Sequence, residues 1–227
     1  MMTDPPPIEL FEGLANEAVC ELLRGAQERQ VKASTVLFRE GITARAVHVL
    51  ISGIVKLVKT TPNGACVILR YIKPGEAFGT QALLRDGIYS ADAIAVTHCI
   101  ELQWSACAFQ ELLLRHPRAA LNAVRSLEAR LHLMESILVD LSNEPVEQRI
   151  AHALVRLVGK FGERMGERIE VPFPVSCQDI ADMTGTTLHT VSRTLGVWEA
   201  QGQIRRGRQR LTVTDVGSGT VESFPNV

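Results

Sequence analysis

The chain has 227 residues, with 24 Lys and Arg against 25 Asp and Glu, a formal net charge of -1, and 46% hydrophobic residues. That balance fits a globular protein of one or two domains with a sizeable core; it excludes a disordered or collagen-like chain and a partner held by net charge over the whole surface. No run of about 18 apolar residues occurs, and the start MMTDPPPIEL has neither a basic n-region nor an apolar h-region, so a cytoplasmic protein without a membrane partner is expected. The five cysteines, Cys20, Cys66, Cys99, Cys107 and Cys177, are scattered and lack C-x-x-C spacing. They read as reduced, mostly buried small hydrophobes.

In chain order, Glu17 to Arg29 shows helical spacing. Val47 to Val58 then carries apolar residues on both sides of Ser52-Gly53, and Thr60-Thr61-Pro62-Asn63-Gly64 supplies turn chemistry before CVILRYI. Glycines at 41, 75, 79 and 87 cut the chain into short pieces, and Ala91 to Trp104 reads as two more strands. Short strands at this spacing predict a sandwich or roll, flanked by helices over Glu17 to Arg29 and Ala106 to Arg115.

From Pro117 to Leu141 the pattern becomes one long helix. Val124, Leu127, Leu131, Met134, Leu138 and Leu141 recur at alternating steps of three and four, an a/d seam flanked by charged residues. Such a stripe fits either packing within the domain or a second copy of the helix, and a homodimer is its leading use. Ser142-Asn143-Glu144-Pro145 ends the helix and marks the domain boundary. Val146 to Phe161 follows as an amphipathic helix, Gly162 to Gly166 as a loop, and Arg168 to Phe173 as a short strand. Gly217 to Val227 reads as a loose tail.

Residues 176–201, SCQDIADMTGTTLHTVSRTLGVWEAQ, carry the most information. Ser176 can cap a first helix with Asp179 at the capping-box position, Gly185 suits the turn, and Thr187 can cap a second helix. Ile180, Ala181 and Met183 are expected core contacts of the first helix, and Val191, Leu195 and Trp198 of the second. Leu188, His189, Ser192, Arg193 and Gly196 face the other way. Two short helices about a glycine turn follow the helix-turn-helix plan. Gln203-Ile204 and Leu211 to Val213 then read as a wing. Between Thr187 and Asp215 stand Arg193, Arg205, Arg206, Arg208 and Arg210 against Glu199 and Asp215, a basic patch that a solvated loop would also show. On this plan Leu188, His189, Ser192 and Arg193 read base edges, while Ser176, Thr187, Thr190, Arg205, Arg206, Arg208 and Arg210 meet phosphates.

The segment IADMTGTTLHTVSRTLGVWEAQGQI resembles the helix-turn-helix of the CRP/FNR family of bacterial transcription regulators. The PGEAFG turn, the long helix and the EQRIA start of the last domain stand in matching order. The resemblance implies an α+β chain: a cyclic-nucleotide-binding-type β-roll, a dimerisation helix, and a winged helix-turn-helix that binds palindromic double-stranded DNA. It divides the chain into a tail at 1–10, an effector-sensing roll with flanking helices at 11–115, a dimerisation helix and hinge at 116–143, and a DNA-binding domain at 144–227. RNA polymerase is the further partner expected of an activator. In this family an Arg at the position of Arg193 is similar to a bidentate reader of guanine, whereas His189 replaces the usual Glu and Leu188 an Arg of the cyclic-AMP branch.

The same resemblance places the effector pocket at Phe78, Gly79, Thr80, Tyr89, Ser90 and Met134. Members that bind cyclic AMP carry a Glu where Thr80 stands and an Arg-Ser/Thr pair where Tyr89-Ser90 stands, and small hydroxyl residues where the long helix has Met134-Glu135. The pattern therefore argues against cyclic AMP. Iron-sulfur sensing needs four converging thiolates, and only Cys20 stands near the N-terminus, which argues against a cluster. Thiol sensing by Cys66, Cys99 or Cys107 stays open beside a plain core role. Heme stays open through His48, His98, His116 or His132, because TTLHTVSR is also similar to the nitric-oxide-responsive, denitrification-associated branch. No Walker loop, G-x-S-x-G or metal-spaced His pair occurs, so an enzyme is not expected. The other reading is a scaffold that binds an effector or a partner without reading DNA sequence.

Overall fold

The computed structural model describes residues 6–84, 86–166, 168–207 and 210–214. The tail at Gly217 to Val227 lies outside the described residues, as does the start of the tail at 1–10. The chain forms two compact units, Met1–Thr61 with Leu69–His132, and Leu133–Val227 with Pro62–Ile68. The division falls inside the long helix rather than at the Ser142–Pro145 break.

The first unit is a β-roll. A 3-10 turn at Glu9–Phe11 and helix α1 (Asn16–Arg24) precede β1 (Gln27–Val31), β2 (Val36–Phe38), β3 (Ala46–Ser52), β4 (Val55–Thr60) and β5 (Cys66–Ile72). A second group comprises β6 (Ala77–Phe78), a 3-10 turn at Thr80–Leu83, β7 (Asp92–Ala95), β8 (Cys99–Ser105) and helix α2 (Ala106–Arg115). The strands make two four-stranded sheets, ordered β1-β8-β3-β6 and β2-β7-β4-β5. Their apolar residues meet as two buried clusters, one around Val47, Val49 and Trp104, the other around Leu50, Val55, Ile72 and Phe78. The Trp104 indole donates to the Leu22 carbonyl at 2.9 Å and so ties α1 to β8. Gly53, at φ +86, turns β3 into β4 where a Cβ would lie 2.3 Å from the His98 carbonyl oxygen. No other residue fits there.

Three local expectations change. The first helix stops at Arg24, and Gln27–Val31 pairs instead with β8, Gln27 opposite Gln103 and Val31 opposite Cys99. This strand lies at a sheet edge with only Val31 buried, so its polar sequence carries no alternation for a sequence reading to find. The loop expected at 162–166 contains β9 (Glu163–Met165), paired to β10 (Arg168–Val171) and exposed along its length. Of the cysteines only Cys99 is buried, while Cys20, Cys66 and Cys107 are exposed and Cys177 is half-buried. Small residues meet the outer surfaces of α1, β5 and α2 without penalty.

Helix α3 (Pro117–Asn143) spans the expected long helix. In the second unit, α4 (Val146–Phe161) buries Ile150, Ala151, Ala153, Leu154 and Leu157 on one face. The buried carboxylate of Asp140, near the end of α3, accepts from His152 at 2.9 Å and Arg156 at 2.5 Å and so fixes α4 to α3. Helices α5 (Cys177–Thr184) and α6 (Leu188–Ala200) follow, then β11 (Ile204–Gly207) and β12 (Arg210–Thr214). The strands form one sheet ordered β11-β12-β10-β9.

Candidate nucleic-acid interface and sensing core

The local chemistry of 176–201 builds what its pattern predicts. The Ser176 hydroxyl accepts from the Asp179 backbone N–H at 3.0 Å, and the Asp179 carboxylate accepts from the Ser176 N–H at 2.9 Å, a complete capping box for α5. Gly185 closes α5 at φ 60, ψ 39, and a Cβ there would make only ordinary contacts, with Leu141 Cδ2 at 3.5 Å and Arg149 Nη1 at 3.9 Å. Its requirement is therefore the left-handed backbone rather than space. Thr187 caps α6 by accepting from the Thr190 N–H at 3.2 Å, and the two threonine hydroxyls share a hydrogen bond of 2.9 Å. Ser176, Thr187 and Thr190 thus stand at helix starts, where backbone N–H groups favour anions.

Val191, Leu195 and Trp198 are buried, and Leu188, His189, Ser192 and Arg193 are exposed along the opposite face of α6. In α5, Ile180 and Ala181 are buried as expected, but the third buried residue is Thr184 and Met183 is only half-buried. Thr184 tolerates burial because its hydroxyl donates to the Ile180 carbonyl at 2.7 Å. Arg193 is 67% exposed, its nearest charge partner the Glu147 carboxylate at 3.8 Å, which leaves the guanidinium fork open to solvent.

The wing separates its arginines by strand alternation. Arg205 is exposed opposite Thr212, whereas Arg206, opposite Leu211, turns inward. Arg206 therefore does not stand free for a phosphate as the sequence reading expects. Its Nε and Nη2 donate to Glu199 Oε2 at 2.9 and 2.8 Å, and its backbone N–H donates to Glu199 Oε1 at 2.9 Å. These bonds, the backbone one first, hold the Glu199 carboxyl below the ordinary carboxylate range. Sequence reasoning counted Glu199 only as an acid within a basic patch, because its partner lies on another element with no periodic relation to it. Arg210 opens β12, and Arg208 lies outside the described residues.

Along α3, Val124, Leu127, Leu131, Met134, Leu138 and Leu141 are between 38% and 64% exposed, a stripe of large apolar side chains left open to water. Leu141 also faces the Gly185 turn, its Cδ2 3.5 Å from where a Gly185 Cβ would stand.

The expected effector residues lie in two settings. Phe78 and Tyr89 are core side chains: Tyr89 stacks on Phe38 at 3.8 Å, and Phe78 stacks on His48 at 5.0 Å. Burial, above all, pushes the Tyr89 hydroxyl up from its ordinary pKa, and it donates to the Ala46 carbonyl at 3.0 Å. Gly79 takes the left-handed conformation, Thr80 opens the following 3-10 turn, and Ser90 is exposed and receives the Gln81 amide at 3.0 Å. Met134 is on α3.

His48 is 2% exposed, with Nδ1 3.1 Å from the buried Glu101 carboxylate and Nε2 3.3 Å from the Tyr89 hydroxyl. Arg29 lies 2.8 Å from the other Glu101 oxygen. His116 and His132 are held at 3.1 and 3.2 Å by Glu21 and Glu128, and His98 is exposed. A second charged cluster, which the sequence reading missed, joins β5, β6 and α3. Arg70 reaches Glu76 at 3.3 Å, and Arg70 and Arg130 both donate to the Ala77 carbonyl, at 3.5 and 2.6 Å. Burial and the neighbouring Arg130 bring Arg70 down to about 10.

A capped helix pair with an exposed polar face, followed by a β-wing, together with a separate β-roll, defines a winged helix-turn-helix protein carrying a sensor-type domain. Residues 28–116 match the Cyclic nucleotide-binding domain, and residues 148–218 the Crp-like helix-turn-helix domain. The Cyclic AMP receptor protein of Thermus thermophilus is 32% identical over 213 residues, 94% of this chain and 91% of that protein. The nitrogen fixation regulation protein FixK of Bradyrhizobium diazoefficiens is 31% identical over 207 residues, 84% of this chain and 83% of that one. The crystal structure of the Thermus thermophilus catabolite activator protein superposes at TM-score 0.55 with 30% identity, covering 95% of this chain and 97% of that one. At 20% identity, FixK2 from Bradyrhizobium japonicum shares the fold with TM-score 0.74 over 88% of this chain and 96% of that one.

The chain belongs to the CRP/FNR family of DNA-binding transcription regulators, and its relatives are regulators rather than enzymes. Among the described residues no helix is long and apolar enough to cross a membrane.

Proposed function

We propose that this protein is a cytoplasmic homodimer that binds palindromic double-stranded DNA through α6, and that its roll responds to a small effector other than cyclic AMP. The observation that carries the DNA reading is the exposed face of α6, where Leu188, His189, Ser192 and Arg193 stand opposite a buried Val191-Leu195-Trp198 face. Arg193 reads guanine with its fork, and Arg205 meets phosphate. The exposed α3 stripe supports pairing of two copies, which places two reading helices on two half-sites. As an activator the dimer would also engage RNA polymerase.

Although relatives are named for cyclic AMP, Thr80 and Tyr89 supply neither the carboxylate nor the guanidinium expected for that ligand, and Tyr89 is turned into the core. Nitric oxide sensed through heme is the effector that the resemblance brings to this reading. Of the candidate histidines, His48 has both ring nitrogens engaged in the core, whereas His98 is exposed and His116 and His132 each meet a carboxylate through Nε2, the kind of partner that commonly orients a ligating imidazole.

Selection of bound fragments from random DNA at fixed salt, followed by competition, tests the DNA reading. A palindrome with a TTG-like core in each half is expected. Arg193→Ala should cost about 1 to 3 kcal/mol per half-site on that sequence and relax the preference for guanine. Equal losses on the cognate site and on one with the guanine replaced would mean that Arg193 does not read the base. No sequence preference in the wild-type protein would favour the scaffold reading.

A further inference from the structure

Resting on the DNA-binding reading, we infer that Arg206 is a positioning residue: with Glu199 it clamps the wing to the recognition helix, so that Arg205 reaches the DNA backbone while Arg206 does not. The geometry is one-sided. A single carboxylate receives three hydrogen bonds of 2.8 to 2.9 Å from Arg206, two from the guanidinium and one from the backbone. The carboxylate is on the last turn of α6 and the guanidinium on β11, so the clamp adds to the short turn between them, where the Gln203 N–H donates to the Trp198 carbonyl at 3.0 Å. The same side chain places Nη1 4.0 Å from Cys177 Sγ, at the start of α5. Its Nη2 lies 3.9 Å from where a Cβ of Gly196 would stand, so the guanidinium also covers the middle of α6. One side chain thus touches both helices of the motif and the wing.

Nε and Nη2 both close on Glu199 Oε2 while the backbone N–H fills Oε1, so these donors are committed, and taking them to a phosphate would strand the Glu199 carboxylate beside the DNA. Strand alternation gives the neighbouring Arg205 the opposite, exposed face. The division of labour follows: Arg206 orders the wing, and Arg205 spends its charge outside the protein.

Glu199→Gln gives the two roles opposite signs. Were Arg206 a phosphate contact, removing the carboxylate would free its guanidinium and delete a negative charge, and DNA affinity would rise or hold. A clamp predicts instead that Glu199→Gln and Arg206→Ala each weaken binding, by about fivefold per half-site. In the clamp, Arg205→Ala should add little to Arg206→Ala, because a wing that is not held cannot place Arg205. Two independent phosphate contacts would multiply their losses, and each would remove about one from the slope of log affinity against log salt.

Amide hydrogen exchange of β11 and β12 in the free full-length protein supplies a readout without DNA. It should quicken in Glu199→Gln and Arg206→Ala and stay as in wild type in Arg205→Ala. Affinity that rises or holds in Glu199→Gln, or exchange that is unchanged in both clamp variants, overturns the inference. Wild-type protein that selects no DNA sequence overturns the DNA reading alone, since the exchange arm still decides whether the clamp exists.

Discussion

Replacing Leu131 by Glu tests whether the α3 stripe is the surface on which two copies meet. Leu131 is 52% exposed in the protomer and sits mid-seam, with Leu127 and Met134 on either side. Burying a leucine completely is worth about 1.5 to 3 kcal/mol, so the half still open has about 1 kcal/mol to gain, or about 2 kcal/mol over two copies. Leu131→Glu forfeits that gain and carries two carboxylates into the interface, each costing several kcal/mol to strip of water without a partner.

The sum is about 5 kcal/mol or more, which raises the dimer dissociation constant by over about a thousandfold. Light scattering at micromolar protein should report one chain in the variant and two in wild type, and far-UV circular dichroism should be unchanged because the site is exposed in each protomer. Leu131→Ala loses only the burial, about 2 kcal/mol or roughly thirtyfold. A variant that keeps the mass and concentration dependence of wild type would refute the assignment of the seam.

Gly53→Ala should destabilise the roll by several kcal/mol, since it combines φ +86 with a Cβ 2.3 Å from the His98 carbonyl oxygen, whereas Gly196→Ala should be neutral or stabilising by up to about 1 kcal/mol; thermal melts decide both. A thiol reagent at neutral pH should label Cys20, Cys66 and Cys107 quickly and leave Cys99 unlabelled until denaturant is added, because burial pushes that thiol up from its ordinary pKa; fast labelling of Cys99 would contradict its packing. Glu199 has its pKa depressed by Arg206, so its contribution to stability is complete above the ordinary carboxylate pKa and is lost as pH falls through the lower folded value. Urea midpoints measured down through the acid range should therefore fall less steeply in Glu199→Gln than in wild type.

Features built by neighbours in sequence were legible in it. The capping box at Ser176 and Asp179, the left-handed turn at Gly185, the cap at Thr187 and the helical faces of α6 depend on bonds within a few residues, so residue type and spacing determined them. The α3 stripe was legible for the same reason, being one periodicity on one helix. The edge strand β1 was not, because its pairing with β8 joins residues far apart and its own side chains are polar.

The same distinction separates the two wing arginines. Arg205 and Arg206 are adjacent and chemically identical, and only the register of β11 against β12, with Glu199 arriving from α6, turns one outward and commits the other. Likewise Tyr89 and His48 read as an effector residue and a heme ligand until the roll closes and packs them against Phe38 and Phe78. A charged or aromatic side chain carries its chemistry in the sequence, but whether that chemistry faces solvent or is used up inside the protein depends on which distant residues the fold brings within hydrogen-bonding distance.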